Sequence, residues 1–196
     1  FLTSGTYDKN RPFYCTTSPS MDILISSNLE RLLFLLSGQD AEQTKKWMTE
    51  LSETGKYTVG EKMQKQLKEL FAAGYCDDEN TKRTIRKIFD EYHYLCDTHT
   101  AVALNVYATY KTKTGDATPT VIASTANPYK FSASVLKALE DNIKSKDEFS
   151  MVEELHELSG APVPPQLAEL KGKKPRFTKV AKKEDMAKVV FEMLGI

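Results

Sequence analysis

The sequence predicts a helix-rich α/β protein, and three observations carry that prediction. Apolar residues recur at helical spacing over most of the chain. The segments that read as strands are few and short. The most apolar of them, residues 120–123, ends in two hydroxyls just before a helix start, as strands of open α/β sheets do.

The helices follow in order. Ser27 and Glu30 have capping-box spacing ahead of Leu29, Leu32, Leu33 and Leu36, and Gly38 is placed to end that helix. A second helix starts at Asp40, turns Trp47, Met48 and Leu51 inward, and stops before Gly55. A third is expected over 59–73, burying Met63, Leu67, Leu70 and Phe71 and ending at Gly74. A fourth follows Asp77 and Asp78, with Ile85, Ile88, Phe89 and Tyr92 on one face. Residues 40–92 thus read as three amphipathic helices without a convincing strand, a helical subdomain inserted between 1–39 and 93–196. Asp97 can cap a further helix with Ala101 and Leu104 inward. Strand candidates are 13–17, 120–123 and, more weakly, 176–180. So few strands among so many helices leave a parallel sheet short of neighbours, which places the missing strands upstream. The proline-rich run 161–165 is a stiff connector.

Composition narrows the function. The 196 residues carry 27 basic against 27 acidic groups, so the chain lacks the basic surplus of a nucleic-acid binder. The Lys171–183 stretch of basic residues reads as a solvated face. No apolar run reaches the length of a membrane span. Cys15, Cys76 and Cys96 are odd in number and widely spaced, which suits a reducing cytoplasm. The chain opens on Phe1 rather than an initiator methionine, and is expected to be part of something longer.

Three stretches could carry chemistry. In 120–131, Ser124 and Thr125 lie at the carboxyl end of the apolar run, Asn127 takes an N-cap position and Pro128 the first helical position. A hydroxyl there can donate to a ring nitrogen or a carboxylate; it can equally cap the next helix. In 16–23, Thr16, Thr17, Ser18, Ser20 and Asp22 form a hydroxyl-rich turn that solvent alone could explain. In 94–103, His99 lies in the first turn of the Asp97 helix. The spacing His93, Cys96, His99 has no fourth ligand, and no metal site is expected. The chain contains no glycine-rich phosphate loop, and no lysine sits in an apolar surrounding suited to Schiff-base chemistry.

Taken in order, the motifs resemble a known family. Ser18-Pro19-Ser20-Met21-Asp22-Ile23 followed by Ser27-Asn28-Leu29-Glu30-Arg31-Leu32-Leu33-Phe34, then Asp97-Thr98-His99-Thr100-Ala101-Val102, then Ser124-Thr125-Ala126-Asn127-Pro128-Tyr129-Lys130-Phe131 are similar to three segments of threonine synthases. Each is weak singly; the ordered set, spanning nearly the whole chain, is specific. Thr98 stands where the family often has proline, and Asn127 and Tyr129 where it has histidine and alanine.

The resemblance implies the C-terminal part of a fold-type-II pyridoxal-phosphate enzyme with an inserted helical subdomain. It implies a lyase of threonine biosynthesis that converts O-phospho-L-homoserine and water to L-threonine and phosphate. Thr125 would face the cofactor's ring nitrogen, with Ser124 as the near alternative. The Schiff-base lysine and the phosphate loop belong to the family's N-terminal half, so this chain alone is expected neither to bind the cofactor nor to turn over. No catalytic residue and no substrate-binding residue is assigned within it. Two other readings stand beside this one: a helical interaction module using 40–92, and another lyase or dehydratase of the same fold type.

Overall fold

The structure is a computed structural model that describes all residues, Phe1–Ile196. Its regular structure is almost entirely helical. The helices are α1 (Leu29–Leu36), α2 (Ala41–Thr54), α3 (Glu61–Leu70), α4 (Asp78–Tyr92), α5 (Thr98–Thr114), α6 (Ser132–Leu139), α7 (Glu148–Ser159), α8 (Pro165–Ala168) and α9 (Met186–Leu194). Two short strands, β1 (Thr6–Asp8) and β2 (Lys56–Thr58), pair antiparallel, with Tyr7 opposite Tyr57. The chain divides into two compact units, Phe1–Ala161 and Pro162–Ile196, and the division falls in the proline-rich connector.

In the first unit, α2 has both ends its sequence predicts. The Asp40 side chain accepts from the Gln43 N–H, and Gly55 takes the left-handed conformation at φ +84°. A Cβ at Gly55 would lie 2.3 Å from the Asn10 side chain, which itself donates to the Thr54 carbonyl at 3.1 Å. Glycine is therefore required there on conformational and steric grounds together. The left-handed turn sends the chain directly into β2. Tyr57 then stacks on Tyr7, ring centroids 5.7 Å apart and planes 5° from parallel. Burial raises the Tyr57 phenol well above its ordinary value, and Tyr7 adds to the effect.

A core forms from Leu33, Trp47, Leu51, Tyr57, Val59, Met63 and Leu67, so it draws on both sides of position 40. Beyond it, α4 packs on α5 and α6, and α6 packs on α7. Arg86 of α4 donates to the Leu139 carbonyl at the end of α6, satisfying a backbone group the helix leaves open, and pairs with Asp90 at 3.3 Å. Asn105 of α5 donates to Thr84 of α4 at 3.2 Å.

The structure corrects several expectations. Residues 40–92 contain a strand, β2, whose partner lies some fifty residues earlier. Three residues are too few for alternation to register, and the pairing partner is remote in sequence. The predicted strands at 13–17, 120–123 and 176–180 are irregular segments without ladder partners. Val121 is 95% exposed rather than buried on both faces. Apolar, β-branched composition is not enough for a strand; the ladder needs a paired neighbour, and the chain's one sheet is β1 with β2.

Helix caps also depart at two places. The Ser27–Glu30 capping box does not form: α1 starts after Asn28, whose own backbone is helical and whose side-chain oxygen is taken by the Ser26 hydroxyl at 2.6 Å. Helix α3 runs only from Glu61 to Leu70, and Phe71 is already extended. Leu70 is 64% exposed, and Phe71 is exposed as well. Gly74 does not stop a helix; a Cβ on it would lie 2.8 Å from Val106 of α5, so it permits close passage of the chain.

The second unit holds α8, a single turn at Lys183–Asp185 and α9. Lys179 and Glu192 form an ion pair within it, and the large apolar side chains Phe177, Val180, Phe191 and Met193 are exposed. No helix of the chain is long and apolar enough to cross a membrane.

Candidate functional site

The start of α5 is built on Asp97. The residue is fully buried, and its carboxylate accepts from the His99 N–H at 2.8 Å and the Thr100 N–H at 3.3 Å. Both are backbone donors that a helix leaves open in its first turn, and the helix dipole favours a negative group there. The Thr100 hydroxyl bonds to the second carboxylate oxygen, and the His99 ring Nδ1 lies 3.2 Å from the first. Thr98 and Thr100 are buried as well. Cys96, also buried, has its thiol pushed up to about 12 by burial and by the Asp97 charge, so it stays protonated and is no nucleophile. The His99 ring packs tilted against Phe131, centroids 4.9 Å apart, and its Nε2 is buried without a hydrogen-bond partner.

The predicted strand end is joined to this helix start. The Ser124 hydroxyl lies 3.2 Å from the Thr100 hydroxyl and accepts from Tyr94 at 3.1 Å. Thr125, its neighbour, is exposed and has no hydrogen-bond partner within the chain. Neither residue caps the helix that follows. Asn127 does so, its side chain accepting from the Tyr129 N–H at 3.0 Å at the start of the turn Pro128–Phe131, which leads into α6. Capping therefore does not account for either hydroxyl. Tyr129 is buried, and its hydroxyl donates to the Ala161 carbonyl at 2.5 Å, so it anchors the far end of the unit.

The hydroxyl-rich turn at 16–23 is ordered by carboxylates. Thr16 donates through its N–H and hydroxyl to Asp22 at 2.7 and 2.8 Å, and Thr17 likewise to Asp78 of α4 at 2.9 Å for both bonds. His93, Cys96 and His99 do not converge: His93 ends α4 in the left-handed conformation, and its ring meets Phe89 edge-on. Sequence reasoning did not find the joining of Tyr94 and Thr100 to Ser124. The partners are 30 and 24 residues apart, and no local pattern announces such a contact.

The family model described as threonine synthase, C-terminal, matches residues 100–190, which include Ser124 and Thr125. The threonine synthase of Saccharomyces cerevisiae is 36% identical over 174 residues, covering 81% of this chain and 34% of that protein. That of Pseudomonas aeruginosa is 34% identical over 138 residues, covering 70% of this chain and 29% of that protein. The yeast threonine synthase crystal structure superposes with a TM-score of 0.80 at 30% identity, over 100% of this chain and 39% of that one. This chain is similar to the C-terminal portion of the threonine synthases. A PLP-bound threonine synthase from Brucella melitensis agrees, with a TM-score of 0.73 at 30% identity over 98% of this chain and 36% of that one. The chain thus spans about a third of the length of the threonine synthases it matches. Its helix-rich fold, with 120–123 outside any ladder, matches part of the threonine synthase structure.

Proposed function

We propose that this chain is the C-terminal portion of a threonine synthase that converts O-phospho-L-homoserine and water to L-threonine and phosphate with pyridoxal 5'-phosphate. The observation that carries the reading is the turn at 124–127. It offers an unengaged hydroxyl, Thr125, beside a hydroxyl held by a buried network, and the helix behind it is capped by a third residue. A neutral donor of this kind fits a pyridine nitrogen, which is an acceptor when unprotonated. The cofactor, when bound, supplies an electron sink. Thr125 would donate to the ring nitrogen and orient the ring, and Ser124 would hold the turn in place. The division into an α/β part at 1–39, a helical insertion at 40–92 and a remainder at 93–196 belongs to this reading.

The exposed surfaces support a role inside a longer protein. The segment 120–123 has the composition of a fully buried strand, yet its groups face outward. Phe13, Tyr14, Met21, Ile23 and Ile25 are exposed too. An N-terminal half that covers these surfaces would complete the sheet and bring the Schiff-base lysine and the phosphate-binding loop to Thr125. Three unpaired cysteines fit a reducing cytoplasm.

The test is the reaction itself. The full-length protein, given O-phospho-L-homoserine and pyridoxal phosphate, is expected to form threonine and phosphate in equal amounts, and residues 1–196 alone to form neither. Phosphate release by 1–196 alone, or a different product from the full-length protein, would sink this reading.

A further inference from the structure

Thr125 has no anchor of its own, yet a turn that presents a donor to a ligand has to be held in place. We infer that Asp97, acting through Thr100 and Ser124, is the positioning residue that holds the strand-end turn for Thr125. The inference rests on the proposed cofactor contact of Thr125 and extends it to residues some twenty-five positions earlier in the chain.

The Asp97 carboxylate only accepts, and it is fully buried, so it fixes the direction of every bond made to it. Thr100 has one hydroxyl hydrogen, which faces both the Asp97 carboxylate and Ser124. At the 3.2 Å contact between Thr100 and Ser124, Thr100 is the donor and Ser124 accepts. Tyr94 donates in turn to Ser124 at 3.1 Å. The contacts run without a break from Tyr94 through Ser124 and Thr100 to Asp97, and they end in a residue that also starts α5. Two consequences follow. Ser124 accepts from both Tyr94 and Thr100, so its oxygen is engaged within the chain, whereas the Thr125 hydroxyl is not. The turn is also tied to the rigid start of a helix rather than to a neighbouring loop, and sites held by such elements keep tighter geometry.

Thr100→Val keeps the side-chain shape and removes the link; Thr100→Ser keeps the link. Both are made in the full-length protein, and the dissociation constant for pyridoxal phosphate is read from the cofactor's absorbance. Thr100→Val is expected to raise it about fivefold, the equivalent of one net hydrogen bond, and Thr100→Ser to stay within about twofold of wild type. Added to Thr125→Val, the Thr100→Val change should cost nothing further, because its effect passes through Thr125; a merely structural loss would add. If Thr125→Val weakens the cofactor and Thr100→Val does not, the positioning inference is overturned while the contact stands. If Thr125→Val itself is silent, the contact reading falls and takes the inference with it. Should Thr100→Val fail to fold, Tyr94→Phe reaches the same Ser124 hydroxyl from a half-exposed position: a raised dissociation constant is expected, and an unchanged one overturns the inference.

Discussion

Thr125→Val in the full-length protein is expected to lower turnover roughly tenfold. The substitution keeps the branched shape and removes one hydroxyl. Losing a neutral hydrogen bond costs about 0.5–1.5 kcal/mol net, and more where the partner stays buried and unpaired. Each 1.36 kcal/mol in the barrier is about a factor of ten. The melting temperature should barely move, because Thr125 is exposed, bonds to nothing in the chain and leaves capping to Asn127. Thr125→Ser retains the donor and should be milder. Steady-state turnover, cofactor affinity and melting temperature, measured on both variants, separate the possibilities. Unchanged turnover in Thr125→Val would remove Thr125 from the site. A large fall in melting temperature with unchanged cofactor affinity would assign the residue to folding instead.

Leu67→Ala is the second large effect, and it acts on stability. Leu67 is fully buried on α3, in the cluster with Trp47, Leu51, Tyr57 and Met63 that joins α2, β2 and α3. Truncation removes apolar surface from a packed site and leaves a cavity that neighbours fill only in part. Such substitutions cost about 2–5 kcal/mol. Domains are stable by only about 5–15 kcal/mol, so the change takes a large share of the total. Denaturant titration of the full-length protein should show a clearly lower midpoint with the slope retained. Leu70→Ala, three residues on but largely exposed, should fall within about 0.5 kcal/mol of wild type. Equal effects at the two positions would contradict the observed end of α3.

That contrast shows what local sequence can and cannot reveal. Met63, Leu67 and Leu70 share one helical periodicity, and periodicity alone buries all three; the structure buries two, because Phe71 turns the chain away. Caps made of one side chain and a nearby amide were legible, as at Asp40, Asp77, Asp97 and Asn127. The Ser27 cap did not form, because α1 starts one residue later, after an Asn28 whose backbone is already helical, a shift that spacing does not reveal. Strands were the least legible elements. Apolar composition marked 120–123, which has no ladder, and missed 56–58, which has one, because pairing is a property of two segments rather than one. At the candidate site, Ser124 and Thr125 stood out by their place after an apolar run. Tyr94 and Thr100 acquire their role only through folding across two dozen or more residues.

The most direct test of the central claim, that this chain supplies the ring-nitrogen side of a pyridoxal-phosphate site, is a crystal structure of the full-length protein with the cofactor bound. The account predicts the Thr125 hydroxyl within about 3 Å of the pyridine nitrogen, with Ser124 turned back toward Thr100 and segment 120–123 laddered into a sheet. A carboxylate facing that nitrogen, or a cofactor bound away from residues 124–127, would contradict it.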